Sequence, residues 1–234
     1  VVPMTTCLIA GSLLNSVFKA IQQFVLDYSP TVYDRESSVD GLRHLVIRES
    51  RRSQELMVAI VMSKRNHEFE MAFQDFCTKL ESIKSVMINY NSELTDEILG
   101  QESKCILGRP YIVDQILGLK IKVSLKSFMQ ANTVMVEALY QAIIMAAKLT
   151  GSEKVLDAYC GVGALTLGLA KTAKHVIGVE RNSLAIENAK QNQVLNQIEN
   201  VEFYSCQSFF ELEKLVSGAK ILISCHGALS HVAA

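Results

Sequence analysis

A chain of 234 residues, 49% of them hydrophobic, holds enough apolar material for one large domain or two modest ones. Its 23 basic and 24 acidic residues leave a net charge of -1, so the total does not advertise a polyanion partner and any nucleic-acid surface has to be a local patch. The longest apolar runs, such as Leu56 to Met62, fall far short of the roughly 20 residues of a membrane span, and the opening Val1-Val2-Pro3-Met4 does not read as a secretory signal.

The missing initiator Met suggests a fragment. The six cysteines, Cys7, Cys77, Cys105, Cys160, Cys206 and Cys225, include no C-x-x-C pair, so no metal is expected. They read as buried thiols of a protein kept in a reducing cytoplasm.

Helical spacing of Phe18, Ile21, Val25 and Leu26 predicts an amphipathic helix over Asn15 to Tyr28, capped by Asn15 or Ser16. Two β-like runs follow, Leu42 to Glu49 and Glu55 to Met62, joined as a hairpin through Ser50 to Gln54. A second helix is expected from Glu68 to Ser85, with Phe69, Phe73, Phe76, Leu80 and Ile83 on one face. Further strands are expected at Val86 to Tyr90, near Cys105 and Tyr111, and from Leu119 to Leu125. This order predicts a small α/β domain over residues 1–127.

From about Phe128 the texture changes, and residues 128–234 read as a second domain. A long helix from Asn132 to Leu149 precedes strands at Lys154 to Ala158, His175 to Glu180, Val201 to Ser205 and Lys220 to Ser224. Helices at Ala164 to Thr172 and Ser183 to Asn196 separate the first three. Alternation at this pitch predicts a doubly wound parallel sheet.

The stretch that carries chemistry runs from Val155 through Asp157-Ala158-Tyr159-Cys160-Gly161-Val162-Gly163 to Thr166. An apolar strand ends on a carboxylate, then two close glycines open a helix, as a tight turn and a ligand approaching the backbone require. The next strand, Val176-Ile177-Gly178-Val179, ends at Glu180, where a carboxylate is placed to accept hydrogen bonds from ribose hydroxyls. A nicotinamide fingerprint would want a third glycine at Thr166. The Asp157 to Gly161 spacing with Glu180 resembles instead the first two motifs of S-adenosylmethionine methyltransferases.

The resemblance narrows further along the chain. Phe128-Met129-Gln130-Ala131-Asn132 resembles the F-x-Q-x-N segment of the RNA uracil-5-methyltransferases, and Asp157 to Gly163 is similar to their D-x-Y-C-G-x-G loop. Gly178-Val179-Glu180, Ala185 to Ala189, Gly41 to Arg48 and Gln54 to Val58 continue the match. The family implies a truncated Rossmann-like S-adenosylmethionine-binding domain preceded by a small central α/β domain. It further implies that Gln130, Tyr159 and Glu180 contact the cofactor, with Asp157, Gly161 and Gly163 as further cofactor-binding positions of the loop and Gln207 reaching the adenine. The expected activity is methyl transfer to carbon five of a uridine in rRNA or tRNA, the pattern standing closer to the ribosomal branch.

The carboxyl end departs from that pattern. Where the family carries D-P-P-R, this chain reads Ser224-Cys225-His226-Gly227, so no catalytic residue is identified and the nucleophilic cysteine is expected beyond the chain. Adjacent Cys225 and His226 would point to opposite faces of a strand, and Cys160 reads as structural. A truncated or frameshifted product is therefore expected, with weakened cofactor binding and an open sheet edge that invites self-association. Arg43, Arg48, Arg51 and Arg52, with Lys64 and Arg65, crowd one hairpin as a patch for RNA phosphates. The alternatives are a noncatalytic remnant that binds RNA or cofactor only, and a nicotinamide-dependent oxidoreductase.

Overall fold

The computed structural model describes residues 5–128, 132–205, 217 and 219–223. The chain divides into two compact units, Val1–Val113 and Asp114–Ala234.

In the first unit, α1 (Ser12–Tyr28) is followed by the antiparallel pair β1 (Leu42–Ser50) and β2 (Glu55–Met62). Then α2 (His67–Thr78) crosses to β3 (Ile83–Tyr90), parallel to β2, and β4 (Glu102–Gly108) returns antiparallel. The sheet order is β1-β2-β3-β4. Alternate residues of β2, Leu56, Val58, Ile60 and Met62, meet Val86 and Ile88 of β3 and the helix residues Val17, Ile21, Phe69, Phe73 and Cys77 in one core. Period-two and period-four spacings thus bring one sheet face and two helix stripes together. Phe24 stacks on Phe76 with ring centroids 4.6 Å apart.

Two expectations are corrected here. Helix α1 starts behind Gly11, not at Asn15; the Asn15 side chain instead accepts from Cys7 N and donates to the carbonyls of Cys7 and Gly11. Helix α2 ends at Thr78, and Ile83, expected on it, begins β3. Leu80 packs against the same core as the helix, so burial alone had extended the apparent helical stripe.

The division falls within β5 (Tyr111–Ile116), which forms a two-stranded sheet with β6 (Leu119–Ser124). Their turn residues Leu117 and Gly118 have φ of 54° and 70°, the positive values a tight hairpin with matching twist demands. There follow α3 (Thr133–Ala147), β7 (Lys154–Ala158), α4 (Ala164–Ala170), β8 (His175–Glu180), α5 (Ser183–Leu195), β9 (Val201–Ser205) and β10 (Ile221–Ile223). The last four strands form a parallel sheet in the order β10-β7-β8-β9, with β10 at one edge of the described strands.

The units part ahead of the division expected at Phe128, because side chains of α5 tie β6 to the second unit. Asn192, fully buried, accepts from Lys122 N and donates to Lys122 O, and Asn196 does the same with Lys120. Asn188 reaches Ser124 Oγ and Ser127 Oγ. Spaced four apart on one helix face, these amides act toward β6 as a neighbouring strand would.

Candidate functional site

At the carboxyl end of β7 the chain turns sharply. Tyr159 has φ of 69°, a conformation uncommon outside glycine, and is held there because both Tyr159 N and Cys160 N donate to Val179 O, at 2.8 and 3.0 Å. Gly161 and Gly163 follow with φ of 55° and 84°, and Gly163 caps α4. The two glycines serve different ends. A Cβ on Gly161 would point into open space, whereas one on Gly163 would lie 2.8 Å from Phe203 Cζ. Gly161 leaves room for a ligand; Gly163 leaves room for Phe203.

Glu180 and Gly161 stand side by side. The Glu180 carboxylate accepts from Gly161 N at 3.2 Å through Oε2 and from Asn182 N at 2.9 Å through Oε1. It keeps lone pairs for a ligand and is fixed in direction by two backbone donors. Asp157 lies deeper, 3% exposed. Its Oδ2 accepts from Thr166 Oγ1 at 2.6 Å, and burial, with Glu180 nearby, pushes its carboxyl up to about 7.

Asp157, Tyr159, Gly161 and Glu180 all line one cavity of about 560 Å³ in the second unit, a size usual for small-molecule sites. Its remaining wall is largely apolar, from α3 and α4 residues such as Val136, Tyr140 and Leu165. Two carboxylates at an apolar hollow suit a ligand with hydroxyls and positive charge better than an anion. The residues present therefore fit an adenosine carrying a cationic tail.

Tyr159, at 58% exposure, stands at the rim. Gln130 and Gln207 lie outside the described residues. Cys160 is buried, and burial, Asp157 and Glu180 all push its thiol up, so it is not the thiolate a nucleophile requires.

The arginines of the first unit are not one free patch. Arg43 donates to the carbonyls of Asn91, Glu93 and Thr95 and lies over the Tyr33 ring, clasping a loop. Arg51 donates to Ile9 O and pairs with Glu49. Arg48 is half-buried, its Nε has no hydrogen-bond partner among the described residues, and burial lowers its pKa. Arg65 pairs with Glu102.

Three residues of the site region carry no sequence signal of their own. Phe203 on β9 packs over both Gly163 and Gly178. Asn192 donates to Val162 O in the glycine loop at 3.0 Å. Thr133 opens α3 at the cavity wall. Each works through tertiary neighbours that spacing along the chain does not reveal.

Residues 149–234 match the family described as a methyltransferase domain. The chain is 36% identical over 204 residues to an uncharacterized RNA methyltransferase of Listeria monocytogenes, covering 87% of this chain and 45% of the relative. It is also 36% identical over 218 residues to one of Clostridium acetobutylicum, covering 92% and 47%. It thus spans about half the length of the curated relatives it matches. Among solved structures it resembles a Pyrococcus abyssi tRNA (uracil-54, C5)-methyltransferase in complex with S-adenosyl-L-homocysteine, with a TM-score of 0.72 and 24% identity over 87% of this chain and 49% of that one. None of these matches supports the nicotinamide alternative. Fold and sequence together make this a mixed α/β chain with a Rossmann-like methyltransferase fold, related over most of its length to proteins named as RNA methyltransferases.

Proposed function

We propose that this chain is the cofactor-binding and RNA-holding part of an S-adenosylmethionine-dependent RNA methyltransferase acting on carbon five of a uridine. The observation that carries the reading is the Glu180 carboxylate fixed between Gly161 N and Asn182 N at the mouth of the cavity that Asp157 floors. When bound, S-adenosylmethionine supplies an electrophilic methyl group on a sulfonium. Glu180 holds the ribose hydroxyls, Gly161 lets the ligand reach the loop backbone, Tyr159 covers the rim, and Gln130 and Gln207 complete the contacts.

The target is proposed as a uridine of rRNA, with phosphate contact from Arg48 and Arg52 of the hairpin, while Arg43 and Arg51 hold neighbouring main-chain carbonyls. No described residue is placed to add to carbon six of uracil or to remove the proton from carbon five. A second reading rests on Ser224-Cys225-His226-Gly227 standing where the resembled family carries D-P-P-R: the chain binds RNA or cofactor only.

Calorimetry with S-adenosylhomocysteine tests the first claim, and transfer of labelled methyl to uridine-containing rRNA and tRNA fragments tests the second. Heat of binding is expected, and Glu180→Ala should abolish it; a wild-type chain that binds neither S-adenosylmethionine nor S-adenosylhomocysteine refutes the proposal. Binding without transfer selects the second reading.

A further inference from the structure

Helix α3 (Thr133–Ala147) holds a single charged residue among its 15. That residue, Glu137, accepts from Leu117 N at the turn between β5 and β6. A helix so nearly apolar all round belongs in an interior, and only one of its sides lies in one, where Thr133, Val136, Tyr140 and Ile143 wall the cavity. The opposite side is exposed. Val134, Met135, Ala138, Ala142, Met145 and Ala146 stand on it, Met135 at 62% and Met145 at 73% exposure. Steps of three and four residues put all six on one stripe, and none of them is charged.

The stripe fits a copy of itself. Adjacent pairs stand at its two ends, Val134 with Met135 and Met145 with Ala146, and Ala138 and Ala142 lie between them. Turned end for end, a second helix lays its Met145 and Ala146 over Val134 and Met135 at one end and the reverse at the other, as a twofold contact demands. At the crossing alanine meets alanine, so the two backbones can approach toward the close end of helix packing, about 8 Å. The flexible methionines fill the space on either flank.

Charge selects the occupant. A neutral stripe gives RNA or an ionic protein segment nothing to pair with, yet it opposes its own copy without like-charge repulsion. Area sets the strength. One side of a helix about 22 Å long and about 10–12 Å across offers on the order of 500 Å², and two copies together cover on the order of 1,000 Å², the threshold of a specific interface.

We infer that this side of α3 is the contact surface of a reversible dimer, in which a second copy of the chain packs antiparallel across Ala138 and Ala142. The inference goes beyond the cofactor reading and does not depend on it, because the stripe lies on the side of α3 away from the cavity. It also uses a different surface from the edge strand β10.

Sedimentation of the full chain, thiols kept reduced, from about 1 µM to about 500 µM reads the association directly. Wild type should pass from monomer to dimer within that range. Ala142→Glu and, separately, Met145→Glu place a charge in the packed stripe and should weaken the dimer about tenfold or more. Both positions are exposed in the monomer and glutamate suits a helix, so thermal midpoints at the lowest concentration should stay within about 2 °C of wild type. A wild-type chain that is monomeric at the highest concentration overturns the inference. So does a dimer indifferent to both substitutions, which would place association on another surface such as the edge of β10.

Discussion

Thr166 Oγ1 donates to Asp157 Oδ2 over 2.6 Å, joining the end of β7 to the first turn of α4 beneath the glycine loop. The bond holds a carboxyl whose titration burial has pushed from the ordinary aspartate value of 3.8 up to about 7. The folded chain then carries a proton there that the unfolded chain has lost, across the window from about pH 4 to about pH 7. Stability falls as pH rises through that window, each unit of raised value corresponding to about 1.4 kcal/mol, and the cost is complete above it. Asp157→Asn has no such slope. Urea unfolding of both proteins at pH 5 and pH 8 checks this: wild type should lose ground to the variant at the higher pH, and parallel behaviour sinks the assignment.

The two loop glycines separate folding from binding. Gly163→Ala meets both a positive φ and Phe203 Cζ at 2.8 Å, so it should destabilise the second unit by about 2–3 kcal/mol. Gly161→Ala has open space around its new methyl, so only the strain of its φ, about 1 kcal/mol, should appear in thermal unfolding. Its S-adenosylhomocysteine affinity, however, should drop about tenfold or more, because the methyl occupies the ligand's side of the loop. A Gly161→Ala protein that binds as wild type does would show that the ligand approaches elsewhere.

How much of this was legible in the sequence varied with the kind of signal. The loop from Asp157 to Gly163, the carboxylate at Glu180 and the strands β7, β8 and β9 follow from spacing alone, because glycine placement and strand ends are local constraints. The run from Leu80 to Ser85 misled, since apolar residues at helical spacing cannot distinguish the end of α2 from the start of β3 when both feed one core. The arginines of β1 read as a cluster in the sequence, yet Arg43 and Arg51 are spent on main-chain carbonyls. Thr133 and Phe203 gained their roles only from neighbours distant in sequence, as did the asparagines of α5.

Acid should destabilise the fold through Glu153. Its carboxylate accepts from the backbone N–H groups of Thr150, Gly151 and Ser152 and from the hydroxyls of Thr150 and Ser152, which hold it down at about 2. A carboxyl lowered on folding contributes stability that is present above its unfolded value near 4.5 and is lost as pH falls toward about 2. Glu153→Gln should therefore be less stable than wild type at pH 7 by guanidinium titration, with the gap closing as pH drops below about 4. A gap that stays constant to pH 3 would falsify the charge-based account.

The asparagine ladder of α5 makes the sharpest structural prediction. Asn192 is fully buried and bonds Lys122 N at 2.7 Å, Lys122 O at 3.3 Å and Val162 O at 3.0 Å, so one side chain ties β6 and the glycine loop to the helix. Asn192→Leu keeps a branched outline, though bulkier, and supplies no partners, leaving a strand amide and two carbonyls unsatisfied. The cost should be about 2–4 kcal/mol, larger than for Asn196→Leu, whose side chain lies nearer solvent and bonds only Lys120 and its own helix. Amide exchange locates the effect: protection at Lys122 should collapse in the Asn192 variant while β8 amides, bonded within the parallel sheet, stay protected. If Lys122 remains protected, β6 is held by its pairing with β5 rather than by the helix amides, and the ladder is incidental to the placement of the loop.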